Sequence, residues 1–193
     1  MVAQSMSGSF GARRASRASR LRSVAWAEVD ARLRFLALLW VGVMAGFFVA
    51  FSVLVMPGLD RVDAAAGIAA MQAINAAVAS VAVAFGGASL LCLAVIASAA
   101  VRRSGGWLAP LGALVYLVGV FGVTVAFNVQ LNDELDLVAP SSPSAAAAMA
   151  DYLVEWTRWN HVRTATGILS FALIGASLLR GRRGDGGRGG PTA

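Results

Sequence analysis

Three long apolar runs without a charged residue constrain the fold of this chain more than any other feature. The runs extend over 35–56, 76–101 and 107–127. Each reaches the roughly 20 residues that a helix needs to cross the membrane hydrocarbon. A fourth run, about 162–180, contains two charged residues, Arg163 near its start and Arg180 at its end. The aliphatic part of each arginine side chain can extend so that the guanidinium reaches water. Because lipid satisfies no backbone hydrogen bonds, each run must be helical. The sequence therefore predicts an all-α fold, an integral membrane four-helix bundle.

The positions of the basic residues predict how this bundle is oriented. All 16 basic residues are arginines. They cluster before the first run, in the pair Arg102-Arg103 and after the last run, whereas the other two connections carry mostly Asp and Glu. Basic segments tend to remain on the cytoplasmic side. We therefore expect cytoplasmic N and C termini in a multi-pass protein of the plasma membrane.

The runs also divide the chain into segments. Residues 1–33 are rich in Arg and Ser, and we expect them to be mobile, with a short interfacial helix from about Val24. The transmembrane domain covers 34–180. Residues 181–193 form a Gly/Arg-rich tail that we expect to be disordered.

The net charge of +6 raises the question of a nucleic-acid partner. Because the arginines flank apolar runs and no nucleic-acid-binding motif accompanies them, we predict membrane lipid as a partner and no nucleic acid. The chain has one cysteine and one histidine, too few for a zinc site or a bis-histidine haem. We therefore predict no metal and no cofactor. An oligomer is compatible with the sequence.

Polar and aromatic residues concentrate just before the fourth run. At 100° per residue, one helix face holds Tyr152, Trp156, Trp159, Asn160, Arg163 and Gly167, and His161 points elsewhere. Amides on other helices at the same predicted depth are Gln72, Asn75, Asn128 and Asn132. An ionisable group at membrane depth needs a partner or a water-filled cavity. We therefore expect an outward-facing polar pocket. The competing interpretation is a structural network with interfacial tryptophans.

Four short blocks, in order along the chain, resemble the anthrone-oxygenase-like family of small four-span membrane proteins. They are Met56-Pro57-Gly58-Leu59, Met71-Gln72-Ala73-Ile74-Asn75, Asn128-Val129-Gln130-Leu131-Asn132 and Trp156-Thr157-Arg158-Trp159-Asn160-His161-Val162-Arg163-Thr164. The resemblance extends over about Leu36 to Leu179. Gln130 departs from the family, which often has proline there, and permits the helix to continue through Asn132.

The resemblance implies a cofactor-independent oxygenase that converts anthrones to anthraquinones and takes a hydrophobic aromatic or quinol-like substrate. By position it nominates Asn75, Asn128, Asn132, Trp159, Asn160, His161 and Arg163. Such chemistry needs a base for an acidic methylene and donors for the developing phenolate.

We assign catalytic roles by chemical type. Arg163, Asn160 and Asn128 are the predicted donors to the phenolate. His161 is the predicted base, because histidine titrates near neutrality, although it points away from the aromatic face. An acidic residue, Asp133 or Glu155, is the alternative base. The predicted substrate-binding residues are Asn75, Asn132, Tyr152, Trp156 and Trp159.

A second function stays open at this point. It is a non-catalytic membrane protein that binds lipid or a protein partner through the same polar cluster. The oxygenase requires a cavity for a small aromatic ligand, whereas the binding protein requires a filled network or a groove open to lipid.

Overall fold

The computed structural model describes residues 3–80, 82–102 and 106–186, and these residues form helices joined by short turns. We number seven α-helices and three π-helical segments in chain order. They are α1 (Ala3–Ala50), π1 (Phe51–Val55), α2 (Met56–Leu59), α3 (Ala64–Ser80), α4 (Ala82–Arg102), α5 (Leu108–Tyr116), π2 (Leu117–Gly122), π3 (Thr124–Asn128), α6 (Val129–Asp136) and α7 (Ala145–Gly186). Since no strand occurs in the described ranges, the predicted all-α fold is confirmed.

Three helical stretches are long and apolar enough to cross a membrane. They are Leu21–Leu59, Leu108–Asp136 and Ala145–Arg180. The predicted span at 76–101 falls on α3 and α4, which meet at residue 81, outside the described residues; their apolar parts, Ala64–Val78 and Gly86–Arg102, are shorter. The structure is thus compatible with a membrane helical bundle. The count of four spans and the orientation of the termini stay predictions.

The outer helices are longer than the sequence suggested. The first begins at Ala3 rather than near Val24, and the last continues past residue 180 to Gly186. Alanine and arginine, which dominate the N-terminal segment, are among the strongest helix formers, and extending an existing helix costs little. Residues 1–2 and 187–193 lie outside the described residues. The predicted mobility of the two terminal segments stays a prediction.

Four helices pack in a ring, in which α7 lies between α1 and α5, and α4 closes the ring against the same two helices. The centre is filled by side chains with almost no exposed surface, including Phe48, Cys92, Tyr116 and Ile174. Because lipid is as apolar as these side chains, close packing and hydrogen bonds hold such helices together rather than escape from water.

Helix α7 approaches α5 and π2 closely because glycines line the contact. The Ser170 hydroxyl donates to the Gly112 carbonyl at 2.7 Å. A Cβ built on Gly119 would lie 2.5 Å from Thr166 Cβ. This contact fixes the position of α7 along the bundle axis. It thereby determines which residues of the other helices lie opposite the polar residues of α7.

The two ends of the bundle differ in charge. We call the end with residues 57–63 and 133–144 the acidic-loop end, and the opposite end, with Arg32, Arg34, Arg102 and Arg180, the arginine end. At the acidic-loop end, Gln72 Nε2 donates to the carbonyls of Leu135 and Val138, both at 3.0 Å. These bonds tie α3 to the turn after α6.

Candidate functional site

One face of α7 is buried in the bundle, as its spacing predicted. Tyr152, Trp156, Asn160, Arg163 and Gly167 all lie in the interior. Trp159 is at the edge of this face, half-buried, and its indole stacks on the Phe127 ring with centroids 3.6 Å apart and planes 4° apart. Polar and aromatic groups of the last helix therefore meet the other helices rather than lipid.

Arg163 is a buried cation whose partners are neutral. It is 4% exposed, and its NH1 and NH2 atoms donate to Thr124 Oγ1 at 3.3 Å and Asn160 Oδ1 at 2.9 Å. The guanidinium carbon lies 4.6 Å from the centroid of the Phe48 ring and 4.8 Å from that of Trp156. Within the described ranges no carboxylate forms an ion pair with it. Ring faces and neutral oxygens therefore stabilise the charge.

Asn160 connects this cation to the first helix. Its Nδ2 atom donates to the Phe48 carbonyl at 2.9 Å and to Ser52 Oγ at 2.8 Å. Because Arg163 can only donate, Asn160 Oδ1 must be the acceptor, which turns Nδ2 toward α1 and π1. Backbone hydrogen bonds in a π-helical segment join residues five apart rather than four, so a carbonyl just before π1 loses its usual backbone N–H donor. The side-chain amide of Asn160 supplies a donor in that region.

Ser52 in π1 then connects Asn160 to His161. Its Oγ lies 3.1 Å from His161 Nδ1 and 3.2 Å from Thr164 Oγ1. The hydroxyl already accepts from Asn160, so it has one proton and one lone pair left for these two neighbours. If His161 Nδ1 carries a proton and donates to Ser52, the Ser52 hydroxyl donates to Thr164. In the neutral imidazole, Nε2 is then the nitrogen that can accept a proton.

His161 lines an open cleft of ≈ 620 Å³ at the acidic-loop end. The side chain points away from the aromatic face, as predicted, and is exposed. The walls come from the region of α2 and from α7: Met56, Pro57, Asp60, Leu153, Val154, Thr157, Arg158 and His161. The cleft therefore combines apolar walls with an imidazole, a hydroxyl, a guanidinium and a carboxylate.

A second hydrogen-bonded group lies nearer the acidic-loop end. The Tyr152 hydroxyl and Trp156 Nε1 both donate to Asn132 Oδ1 at 2.8 Å. Asn128 Nδ2 donates to the Trp156 carbonyl at 3.3 Å. Helix α6 continues through Asn132, as the glutamine at 130 suggested. The amide of Asn132 thus points to α7 and holds both aromatic donors.

Three buried atoms in this region make no hydrogen bond to the described residues: Asn75 Nδ2, Asn128 Oδ1 and Arg163 Nε. The Asn75 amide lies close to the Tyr152 hydroxyl, but its Nδ2 atom makes no hydrogen bond among the described residues. Buried polar atoms are usually paired, so two donors and one acceptor remain available to a polar group.

Most of the predicted site residues thus meet in two linked groups. Arg163, Asn160 and His161 are joined through Ser52, and Asn132, Tyr152, Trp156 and Asn128 form the second group. The Trp156 ring belongs to both, because it also covers Arg163. In the described part of the chain, no set of three or more His, Cys, Asp or Glu side chains is placed to hold a metal ion.

Two residues of this site, Ser52 and Thr124, were missed by the sequence analysis. Each is the single serine or threonine of a long apolar run, and each lies in a π-helical segment. Their position in apolar helices was the available signal, because a hydroxyl at membrane depth requires a partner. Segments with π bonding are frequent at functional sites.

Comparison with known proteins identifies the family. The family model described as anthrone oxygenase matches residues 69–173, more than half of the chain. Three of the four blocks quoted above fall in this range, and Met56-Pro57-Gly58-Leu59 precedes it. Searches of curated proteins and of solved structures returned no match. The extent of the family match shows that the chain belongs to the anthrone oxygenase family.

Proposed function

We propose that this protein is a cofactor-independent oxygenase that oxidises a hydrophobic aromatic substrate of the anthrone or quinol type. One observation carries the proposal beyond the family: a hydrogen-bonded chain runs from buried Arg163 through Asn160 and Ser52 to His161 in an open cleft. A chain of this kind fixes the orientation and tautomer of an imidazole, which a general base requires.

His161 is the base in this proposal. Its Nε2 atom removes a proton from the methylene group beside the substrate carbonyl, and the electron pair delocalises into an electron-rich phenolate. Ser52 accepts from Nδ1–H and donates to Thr164, which favours the tautomer of the neutral imidazole whose Nε2 can accept a proton. Arg163 is a positioning residue, because it fixes the Asn160 amide that in turn orients Ser52.

The substrate itself supplies the electrons for oxygen. The carbanion reduces O₂ and combines with it, forming a C–O bond and a peroxide anion. The imidazolium returns its proton to give the hydroperoxide. Loss of water then converts the former methylene to a carbonyl, so one oxygen atom enters the product and the other leaves as water. Four electrons pass from substrate to oxygen.

The cleft supports such a substrate by its composition. Met56, Pro57, Leu153 and Val154 offer apolar contact to fused rings, and the guanidinium of Arg158 lines the same cleft. A cation near the developing phenolate lowers the barrier to proton removal. Arg158 therefore takes the oxyanion role that the sequence assigned to Arg163, because Arg163 is packed between two rings of the protein.

The proposal includes a place in the cell. A lipophilic substrate dissolves in the bilayer, and we propose that the protein resides in the plasma membrane with the arginine end in the cytoplasm. His161 and Asp60 in the cleft then lie near the opposite membrane boundary. Lipid is the partner that surrounds the bundle.

Oxygen consumption tests the proposal. Purified full-length protein in detergent is incubated with an anthrone under air, and oxygen uptake and quinone absorbance are recorded together. We expect turnover above the spontaneous rate, a loss of about 10²-fold or more for His161→Gln, and smaller losses for Ser52→Ala and Arg163→Ala. Arg61→Gln removes an exposed arginine at the same end and should leave the rate unchanged. Wild-type protein that does not exceed the spontaneous rate would refute the activity for that substrate.

A non-catalytic binding protein is the second candidate. The packing of Arg163 between Phe48 and Trp156 favours it, since part of the polar cluster is filled by the protein's own rings. In that case an anthraquinone would bind to wild type and to His161→Gln equally, and neither protein would consume oxygen. Ligand binding measured beside oxygen uptake therefore separates the two functions.

A further inference from the structure

A second cavity adjoins the arginine end, at the opposite end of the bundle from the cleft at His161, and has a different chemistry. It has a volume of ≈ 1190 Å³ and lies among α1, the end of α4, the start of α5 and the last part of α7. Four guanidinium groups and one carboxylate line it: Arg32, Arg34, Arg102, Arg180 and Asp30. The excess of positive charge predicts an anionic ligand.

Asp30 organises two of these arginines. Its Oδ2 atom accepts from Arg34 NH2 at 2.6 Å and from Arg102 NH1 at 3.0 Å, and its Oδ1 accepts from Ser98 Oγ at 2.7 Å. The Asp30 side chain is 6% exposed, so this carboxylate joins α1 to α4 inside the bundle. One negative charge thus holds two guanidinium groups in fixed positions at the cavity wall. Arrays of this kind suit phosphate, which arginine binds through paired hydrogen bonds.

A buried donor at the same place is left without a partner. Arg34 Nε makes no hydrogen bond to any residue in the described ranges, although the atom is buried. Asp30 occupies only NH2 of this guanidinium in its ion pair. Arg34 therefore keeps hydrogen-bonding capacity that a phosphate oxygen can use.

Most of the other residues that line the cavity are apolar, and the cavity lies where the apolar helices end. Phe35, Leu36 and Leu179 line it and are also exposed on the outside of the bundle, where acyl chains pass. Trp107 lines the cavity and is 64% exposed. Exposed tryptophan at the end of an apolar helix is typical of the membrane interface. A ligand here meets charge on one side and hydrocarbon on the other.

We propose that this cavity binds the phosphate headgroup of an anionic phospholipid, with its acyl chains along Phe35, Leu36 and Leu179. The ligand chemistry is a phosphate anion attached to an apolar tail. The site is independent of the oxygenase proposal, because it shares no residue with the cleft at His161. Bound lipid holds α1, α4 and α7 together at the arginine end.

Thermal unfolding in detergent tests this site with defined probes. The midpoint temperature of thermal unfolding of the full-length protein is measured at increasing concentrations of phosphatidylglycerol, of phosphatidylcholine and of inorganic phosphate, each added separately. A lipid that binds only the folded state raises the midpoint in a saturable way. We expect phosphatidylglycerol to do so, and phosphatidylcholine and inorganic phosphate to have little effect. Equal shifts with both lipids would overturn the proposal, and a full shift with inorganic phosphate would assign the site to a free ion instead of a lipid.

Variants of the two exposed arginines that line the cavity provide a second test of lipid binding. Arg32→Gln and Arg180→Gln leave the Asp30 ion pairs intact, so both should fold with an unchanged midpoint in the absence of lipid. Each should weaken the apparent phosphatidylglycerol affinity about fivefold, and the double variant roughly 25-fold. Arg61→Gln, an exposed arginine at the acidic-loop end, is the matched control and should bind like wild type. Wild-type affinity in the double variant would contradict the proposed site.

Discussion

Arg163 NH2 donates to Asn160 Oδ1 at 2.9 Å, and this contact sets the direction of the two hydrogen bonds that Asn160 donates to α1 and π1. A guanidinium has donors only and a carbonyl only accepts, so the amide cannot turn over without losing its bonds to Arg163 and to the Phe48 carbonyl. The buried cation thereby acts on the orientation of Ser52 and His161 through the Asn160 amide.

Removal of the Asn160 amide should destabilise the protein. Asn160→Ala deletes the bonds to Phe48 and Ser52 and leaves Arg163 with Thr124 as its hydrogen-bond partner. We expect a loss of about 2–4 kcal/mol, because buried donors and acceptors are left unpaired. The measurement is the free energy of unfolding in detergent. Gln130→Ala removes an exposed amide and should change it by less than about 0.5 kcal/mol. Similar values for the two variants would argue against the network.

Asn132 should couple Tyr152 to Trp156. Asn132→Ala removes the acceptor shared by both side chains, which costs about 2–3 kcal/mol because two buried donors lose their partner. Trp156→Phe removes one of those donors. Its cost should be smaller by roughly 1 kcal/mol in the Asn132→Ala background than in wild type, as a double-mutant cycle measures. Strictly additive costs would show that the shared acceptor contributes nothing.

Gly119 should tolerate no side chain. In Gly119→Ala the new Cβ would lie 2.5 Å from Thr166 Cβ, which is fixed to the α7 backbone, so the helices must separate. We expect a destabilisation of about 1–3 kcal/mol. Gly46→Ala is the control, since a Cβ there meets nothing within 4 Å. Thermal unfolding midpoints compare the two. If both glycine variants unfold at the wild-type temperature, α7 and π2 are not as close as described.

Asp30 should be essential for folding at the arginine end. Asp30→Ala leaves Arg34 and Arg102 without their shared carboxylate, and uncompensated buried charge costs about 3–5 kcal/mol. Glu28→Ala breaks only the ion pair with Arg32, in which both side chains are largely exposed, and should cost no more than about 0.5 kcal/mol. Unfolding in detergent at low and high salt measures both. A small cost for Asp30→Ala would mean that Arg34 and Arg102 find other partners.

The sequence predicted the aromatic and polar face of α7 well, because helical periodicity is a local property. A spacing of four and three residues placed one set of side chains on a single face: Tyr152, Trp156, Asn160 and Arg163. All four are buried. The apolar runs likewise predicted an all-helical fold, and three of the four predicted spans lie in helical stretches long and apolar enough to cross a membrane. Both inferences need only residue spacing and the cost of unpaired backbone in lipid.

Contacts between distant parts of the chain were beyond this kind of reasoning. Ser52 meets Asn160 and His161 across 108 and 109 positions of sequence, and nothing in an apolar run says which serine will do so. The π turns were missed because residue composition does not distinguish i+5 from i+4 bonding. The arginines of the arginine end were interpreted as a topology signal and as the reason to expect membrane lipid as a partner, and not as a defined site. The spacing of Asp30 and Arg34 was the overlooked clue, since residues four apart on a helix can pair.

The short π1 segment makes the chain length of the first membrane helix as important as its composition. A π turn holds one residue more than the α-helix would need, so deleting a single position from Phe51–Val55 would restore regular winding. The π turn takes up its extra residue locally, so the helix before and after the deletion would keep its direction, with Phe48 still facing Arg163 and Met56 and Pro57 still at the cleft. The same deletion in the regular winding of α1 would instead swivel everything beyond it by about 100° relative to everything before it. The place at which the first membrane helix loses a residue therefore decides whether the two halves of the site stay together, although no side chain of either half is altered.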